Sequence, residues 1–194
     1  MRFMTADPPA TRDRILQAAY RLFYREGFSR VSVDAIAEYA KLTKRTVYYH
    51  FNSKDDIAAA ALEDLHRHLM PQFQQWAGPN TTDPDELVKN LFGEMKAWAD
   101  GDSWLGSGFS RIVAELADLP GHPARHAAKS HKNAVEDWLT EKLKTAAVKD
   151  PAQLARQVMI LIEGSMSLSL IHGNTQYIHS AGMAATRLVS EARS

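Results

Sequence analysis

Residues 32–54 read SVDAIAEYAKLTKRTVYYHFNSK, and this stretch decides the fold of the N-terminal region. Two short helices are predicted, one over 33–40, where apolar residues recur at helical spacing, and one over 44–50, which Thr43 can cap. The three residues 41–43 between them have the turn length of a helix-turn-helix. The predicted buried side of the pair comprises Val33, Ile36, Ala37, Ala40 and Val47.

The outward face of the second helix carries cationic and hydrogen-bonding side chains. Ala37 supplies the small residue that two steeply crossing helices need, and Val47 fills the gap between them. The side chains left to face outward have the reach for base edges and phosphates in a major groove. They are Lys44, Arg45, Thr46, Tyr48 and Tyr49. The alternative is a helical protein that binds no DNA, in which the two tyrosines are merely half-buried.

The whole chain is predicted to be an all-α protein of about nine helices. Ser32 and Thr43 are the predicted N-caps of two of them, and Asn52 and Ser53 are predicted to cap a long fourth helix. Gly27 is predicted to end the first helix. Pro71 is expected to kink or stop the fourth helix near Leu69 or Met70. The predicted ranges are 11–26, 33–40, 44–50, 54–76, 84–100, 109–119, 123–148, 151–172 and 175–193.

A wider pattern gives the helix-turn-helix a specific resemblance. It comprises the run Ile15 through Phe23, Gly27-Phe28, Val33, Ile36-Ala37, Thr43-Lys44, Thr46-Val47-Tyr48, His50-Phe51 and Ser53-Lys54. These residues resemble the DNA-binding domain of the TetR family of transcriptional regulators, over about the first 60 of the 194 residues. The resemblance implies a helix-turn-helix DNA-binding domain over 1–55 and a helical effector-binding and dimerisation domain over 56–194.

The resemblance also implies which residues contact double-stranded DNA. Five would bind backbone phosphate, namely Ser32, Thr43, Tyr49, His50 and Lys54. Four occupy positions that face base edges in the family, namely Lys44, Arg45, Thr46 and Tyr48. Arg45 is the best candidate for reading a guanine, because a guanidinium can bridge the O6 and N7 atoms of that base.

Lys41 departs from the family pattern, which usually has glycine at this place in the turn. A positive φ is commonly needed there, and it costs a residue with a Cβ about 1 kcal/mol. The turn is therefore expected to be strained or to differ slightly in geometry, and the lysine could also reach phosphate.

Formal charge is zero overall, from 23 Lys plus Arg against 23 Asp plus Glu, and the even balance taken alone argues against a nucleic-acid partner. When the sequence is divided at residue 55, the first part has ten basic and six acidic residues, and the second part has 13 basic and 17 acidic residues. The two parts therefore carry formal charges of +4 and −4. The chain is therefore predicted to be polar, with a basic N-terminal part. Arg2, Arg12 and Arg14 belong to an N-terminal segment that is expected either to add a DNA contact or to fray.

Aromatic and methionine side chains of the second part are candidates for a small-molecule pocket, although any one of them could simply be core. The family generally holds an effector site there, which implies a small, largely apolar or aromatic effector. The predicted pocket residues are Phe73, Phe92, Met95, Trp98, Trp104, Phe109, His126, Glu163 as a polar anchor, and Met166.

The last two helices are predicted to form a homodimer interface, by the same resemblance. The eighth helix has apolar and small residues on more than one face, and Gly164 and Gly182 would allow close approach of helices. The alternative is burial within one subunit. A two-fold dimer implies a palindromic operator, and effector binding is expected to move the fourth helix and so separate the two recognition helices.

Other functional classes find little support in the sequence. The chain has no Cys, which excludes disulfides and thiolate metal sites, and no catalytic constellation or cofactor motif is recognisable. His122 and His126 have the spacing of a zinc-binding pair, but Pro123 stands where the metalloprotease pattern requires Glu. The aliphatic runs 57–62 and 158–162 are too short to cross a membrane, which favours a cytoplasmic protein. A repressor without effector and a metal-responsive regulator remain as alternatives.

Overall fold

The computed structural model describes residues 10–193, and over that range the chain forms nine α-helices and no strand. The helices are α1 (Thr11–Glu26), α2 (Val33–Tyr39), α3 (Lys44–His50), α4 (Lys54–Trp76), α5 (Pro84–Ala99), α6 (Gly108–Ala114), α7 (Pro123–Thr145), α8 (Pro151–His172) and α9 (Gln176–Ala192). The predicted all-α class is confirmed.

Short polar side chains define the starts of the N-terminal helices. The Ser32 hydroxyl accepts from the backbone N–H of Ala35 at 3.1 Å, and the Thr43 hydroxyl accepts from that of Thr46 at the same distance. Ser53 caps α4 in the same way. Each cap satisfies an N–H group that has no partner within its helix, so these polar residues fix where the helices begin.

Most predicted ends are correct to within a residue, but two helices are shorter than predicted. The helix expected over 109–119 ends at Ala114, because the chain continues as tight turns, with Leu116 N–H bonded to the carbonyl of Val113. The helix expected to reach residue 148 ends at Thr145, since Ala147 has a left-handed φ of 56° that no helix accommodates.

Pro71 does not stop α4, so of the two outcomes predicted near Leu69 or Met70, a kink or a stop, the stop is wrong. The helix continues to Trp76, and Ala77 N–H still bonds to the carbonyl of Phe73 at 3.0 Å. The proline lies on an exposed face, whereas Phe73 is buried against the core. Apolar packing on the buried side therefore keeps the helix continuous although one backbone hydrogen bond is absent.

Two apolar clusters form the core. The first joins α1, α2, α3 and the start of α4 to Phe109, Ile112 and Leu116 of the α6 region and to the first turns of α7. The second joins the end of α4 to α5, α8, α9 and the rest of α7. Gly182 allows α9 to approach α5 closely, since a Cβ there would lie 2.7 Å from the Cβ of Phe92. The apolar core of the helix-turn-helix thus continues into α6 and α7.

The helix α8 is long and apolar enough to cross a membrane by length and composition, although its aliphatic runs are individually short. Its most apolar window is 44% buried, against α7 and α9. A core helix of a soluble protein has the same properties, so the criterion by itself is weak evidence for a membrane span. The relevant feature is the apolar side of α8 that remains uncovered in the single chain.

Candidate nucleic-acid interface and ligand groove

Helices α2 and α3 pack as the predicted helix-turn-helix. Val47 is 0% exposed and fills the space between the two helices, and Ala37 is buried at the contact. The burial of Val47 fixes the rotation of α3, because the side that carries Val47 then faces α2 and the side chains of Arg45, Tyr48 and Tyr49 are left exposed.

The turn between the helices has the positive φ that was expected at Lys41. Its φ is 54°, and the N–H groups of Lys41 and Leu42 bond to the carbonyls of Glu38 and Ala37 at 2.9 and 2.8 Å. This is the Schellman arrangement that usually ends on glycine. The guanidinium of Arg14 donates to the carbonyl of Ala40 at 2.6 Å, which ties the turn to α1.

The outward face of α3 is polar and solvent-exposed. Tyr49 is the most open side chain, at 85% exposure, and Tyr48 is also exposed. Arg45 is exposed, while Thr46 is half-buried beside its cap. The Asp34 carboxylate lies 2.7 Å from Lys44 Nζ, which raises the pKa of that ammonium and orients it along α2. The residues predicted to face base edges therefore share one continuous surface.

The residues predicted to bind phosphate lie at the start of α2, at both ends of α3 and at the start of α4, and each has a partner in the free protein. Ser32 and Thr43 are exposed helix caps, and His50 packs edge-on against Tyr49 at the end of α3. Lys54 donates to the carbonyl of Phe28 at 3.1 Å and lies over its ring, so its ammonium is held by its own domain.

The arginines of the N-terminal segment that was expected to fray or to contact DNA are ordered where the structure describes them. Arg12 and Arg14 lie in α1, and the Arg12 guanidinium is 5.3 Å from the ring centroid of Phe51. Fraying is therefore wrong for these two, because both side chains contact the helix-turn-helix. Arg2 lies outside the described residues.

The residues predicted to line a pocket divide between three places. Phe109, His126 and Glu163 border an open groove formed by α6, α7 and α8, with a volume of about 680 Å³. An internal cavity of about 40 Å³ has Phe73, Met95, Trp98 and Met166 in its wall and shares Phe109 and Glu163 with the groove. Phe92 is buried between α5 and α9, away from both. Trp104 packs edge-on against Trp98 and borders neither the groove nor the cavity.

A polar bridge separates the groove from the internal cavity. Glu163 accepts from Lys132 Nζ at 2.5 Å through one oxygen and from the Ser110 hydroxyl at 2.7 Å through the other. Phe109, beside this bridge, stacks on the imidazole of His131 at 3.9 Å between centroids. The cavity is thereby closed by an ion pair and an aromatic stack, both formed between helices.

His131 is a buried polar residue that the sequence did not single out. Its Nδ1 lies 3.0 Å from Nδ1 of His66 on α4, and it is 2% exposed. Burial lowers the pKa of His131 to about 3, with a further contribution from the Lys132 ammonium beside it. The imidazole is thus neutral at physiological pH, as its stack against Phe109 and its apolar surroundings require.

His122 and His126, which have the spacing of a zinc-binding pair, lie in different environments. His122 is the N-cap of α7, where its Nδ1 accepts from the N–H of Ala124 and its ring packs edge-on against Phe28. His126 is exposed one turn later. Within residues 10–193, no group of three or more His, Asp or Glu side chains could hold a metal ion. The described role of His122 is that of the residue that starts α7.

Contacts between α6 and α1 connect the second part of the chain to the helix-turn-helix. The Glu115 carboxylate accepts from the N–H groups of Phe28 and Ser29 at 3.0 and 2.9 Å, and these bonds lower its pKa. Arg111 donates to the carbonyl of Tyr24, whose hydroxyl accepts from Leu105 N–H at 2.6 Å. A sequence signal for Glu115 was lacking, since its partners are 86 and 87 residues distant.

These features define a class of protein, namely a helix-turn-helix DNA-binding protein with a helical second domain. The model of the family described as "Bacterial regulatory proteins, tetR family" matches residues 15–61. Residues 15–61 therefore carry the DNA-binding domain of the TetR family of transcriptional regulators.

Similar proteins extend this likeness over nearly the whole chain. It is 25% identical over 186 residues to the HTH-type transcriptional regulator YjdC of Escherichia coli, covering 94% of this chain and 95% of that one. It is 27% identical to the HTH-type transcriptional regulator LmrA of Bacillus subtilis, covering 85% and 89%. The crystal structure of a TetR-family transcriptional regulator from Streptomyces coelicolor has a TM-score of 0.85 at 26% identity, covering 95% and 96%. These relatives, and the solved structures that share this fold, are transcriptional regulators, and such regulators are generally not enzymes.

Proposed function

We propose that the protein is a ligand-responsive repressor that binds a palindromic operator as a homodimer and leaves it when a small molecule occupies the second domain. The observation that carries the proposal is the outward face of α3, which is exposed, polar and fixed in orientation by the burial of Val47. Such a face suits base edges in a major groove. We further propose that it acts in the cytoplasm.

Operator binding is supported by the charge distribution. The first 55 residues carry +4 and the remainder −4, so a dimer would bring eight excess positive charges to the DNA. Phosphate contacts release counterions, which makes affinity depend on salt even for a protein of neutral overall charge. On this proposal Lys44, Arg45, Thr46 and Tyr48 read bases, while Ser32, Thr43, Tyr49 and His50 hold phosphates. Lys54 would exchange its bond to Phe28 for a phosphate.

Dimerisation is supported by the uncovered sides of α8 and α9. Ile160, Leu168 and Ile171 are exposed along one side of α8 and form its apolar stripe. Met183 is exposed on α9. Gly164 lies in the same stripe, with nothing within 4 Å of the place its Cβ would occupy. A glycine inside a helix costs about 1 kcal/mol relative to alanine, and close approach of a partner helix offsets that cost. We therefore propose that α8 and α9 of two subunits form a four-helix interface.

Ligand response is supported by the position of α6 between the groove and the DNA-binding part. Phe109, Ser110 and Val113 border the groove, while Arg111 and Glu115 of the same region bind α1 and the loop that follows it. A ligand that displaces α6 would therefore shift the helix-turn-helix, together with the movement of α4 proposed from the sequence. No group of described residues favours the metal-responsive alternative.

A ligand screen tests the response. The full chain is titrated with a library of small organic molecules, and its melting temperature is recorded with and without each compound. Compounds that raise the melting temperature are then added to the complex with a duplex selected from a random pool. Release of the duplex by at least one stabilising compound is expected. Stabilising compounds that all leave the complex intact would indicate a constitutive repressor.

A further inference from the structure

We propose that the groove between α6, α7 and α8 binds an organic anion, a carboxylate or similar group on an aromatic or aliphatic body. The inference rests on the proposed ligand response and narrows its effector to a chemical class. An organic anion differs from the purely apolar effector that the aromatic composition of the second domain alone would favour.

Cationic side chains exceed carboxylates around the groove. Two acids border it, and each is engaged by a cation, Glu163 by Lys132 at 2.5 Å and Glu136 by Arg156 at 3.2 Å. The remaining cations of the lining are Arg125 and Lys129. Neither has a carboxylate within ion-pair distance among residues 10–193, so the groove has a net positive charge that a ligand anion can neutralise.

The two cations are placed to act on one anionic group. They are four residues apart on α7, so they lie on the same side of the helix, one turn apart. Nη1 of Arg125 donates to the carbonyls of Leu116 and Ala117, which fixes the guanidinium at one end of the groove. A held guanidinium beside a mobile ammonium is a suitable arrangement for a carboxylate, because only the lysine must be ordered when the anion binds.

The groove also has an apolar part of its lining. Phe109 and Val113 of α6 and Met159 and Ile160 of α8 present aromatic and aliphatic surface to it. An anion carried on an apolar body can use both surfaces at once, whereas a small inorganic anion would leave the apolar side wet. The ligand is therefore an amphipathic organic acid.

A cationic ligand is disfavoured by the state of the acids. Each oxygen of Glu163 already accepts one bond, from Lys132 and from Ser110, so a ligand cation would compete with the Lys132 ammonium for this carboxylate. An incoming ammonium would have to break the Lys132 pair and would meet uncompensated positive charge at Arg125 and Lys129. The charge of the groove therefore selects the sign of the ligand.

Three probes of the same shape and different charge test the proposal. The probes are 2-naphthoate, neutral 2-naphthamide and cationic 2-naphthylmethylammonium, titrated into the full chain by calorimetry. We expect 2-naphthoate to bind about tenfold or more tightly than the amide, the factor expected for one charge-assisted hydrogen bond, and the ammonium to bind most weakly. Lys129→Gln should remove most of this preference, while Lys144→Gln, on the same helix outside the groove, should preserve it.

Several results would overturn the organic-anion assignment. These are equal or tighter binding of the amide or the ammonium, a preference that Lys129→Gln leaves unchanged, and an absence of naphthoate binding at millimolar concentration. Binding is measured separately from operator release, so the two proposals can fail separately. Naphthoate that binds without releasing DNA refutes ligand response alone, and release by neutral or cationic compounds but not by anions refutes the anion assignment alone.

Discussion

At the scale of single residues, Lys41 shows how an unusual conformation is maintained. Its positive φ ends α2 where glycine is the common choice, and the conformation costs a residue with a Cβ about 1 kcal/mol. The hydrogen bond from Arg14 to the carbonyl of Ala40 and the turn bonds of Leu42 compensate for this strain. The sequence allowed the positive φ to be predicted, whereas the Arg14 contact depends on how α1 crosses the turn.

Replacing Lys41 by glycine should stabilise the protein. Lys41→Gly removes the steric cost of the left-handed conformation, and we expect the free energy of unfolding to rise by roughly 0.5–1 kcal/mol in urea denaturation. Lys41→Ala is the matched control, because it removes the charge and keeps the Cβ. Equal stability of the two variants would show that the Cβ causes no strain in this turn.

Arg45 should determine the base at one position of each half-site. Arg45→Ala removes the only guanidinium on the exposed face of α3, and loss of a bidentate guanine contact costs about 1–3 kcal/mol of discrimination. Selection from a random duplex pool should recover a motif with one degenerate position per half-site. An unchanged motif would exclude Arg45 from base reading.

His131 should make stability depend on pH. Burial lowers its pKa to about 3, so the unfolded chain, with a pKa near 6.5, binds more protons between those values and stability falls as the pH falls through that window. Between pH 6 and pH 5 the wild type should lose on the order of 1 kcal/mol more than His131→Gln in denaturant titrations. Replacing the exposed His126 by Gln is the control, and a wild-type pH dependence in His131→Gln would contradict the neutral buried imidazole.

At the scale of elements, α6 is the connection that sequence reasoning described least well. Helical periodicity predicted most helix bounds, because the buried faces of α1, α2 and α8 repeat every three to four residues. It overextended α6 by five residues, since tight turns and long-range bonds from Glu115, rather than local propensity, end that helix. The predicted pocket residues lie in different parts of the second domain. Composition identifies apolar residues but does not indicate which helices face each other.

Weakening the α6 contact should reduce stability and the response to ligand. Glu115→Gln keeps one acceptor oxygen and places an amide N–H against a backbone N–H, so one hydrogen bond is lost and the free energy of unfolding should fall by about 1 kcal/mol. The ligand concentration needed for operator release should rise, while ligand affinity stays nearly unchanged. Glu94→Gln on the exposed side of α5 is the control. A full ligand response in Glu115→Gln would exclude this contact from signal transmission.

At the scale of the whole molecule, the overall neutral charge conceals two opposed parts. The basic part contains the exposed face of α3, and the acidic part contains the groove and the uncovered sides of α8 and α9. The DNA-binding part was predictable because its residues are close in sequence. The groove and the apolar stripe were less predictable from the sequence, because both depend on the packing of helices that are far apart in sequence.

The apolar stripe should determine the oligomeric state. Leu168→Glu combined with Ile171→Glu places charge on the uncovered side of α8, where Ile171 is 71% exposed, so the single chain should remain folded while the dimer dissociates. Sedimentation should give the mass of one chain and operator affinity should fall at least tenfold. Leu119→Glu, which alters an equally exposed leucine outside the stripe, should leave a dimer. Dimers of unchanged stability in the double variant would refute the interface.

Selection of duplex DNA by the full chain tests DNA reading by a two-fold dimer most directly. The protein is incubated with a random duplex pool at moderate salt, and bound sequences are enriched and read. The expected result is a palindrome whose half-sites fit two recognition helices, with binding that weakens steeply as salt rises. Recovery of no motif, or of one that lacks two-fold symmetry, would contradict a dimer that reads DNA through α3.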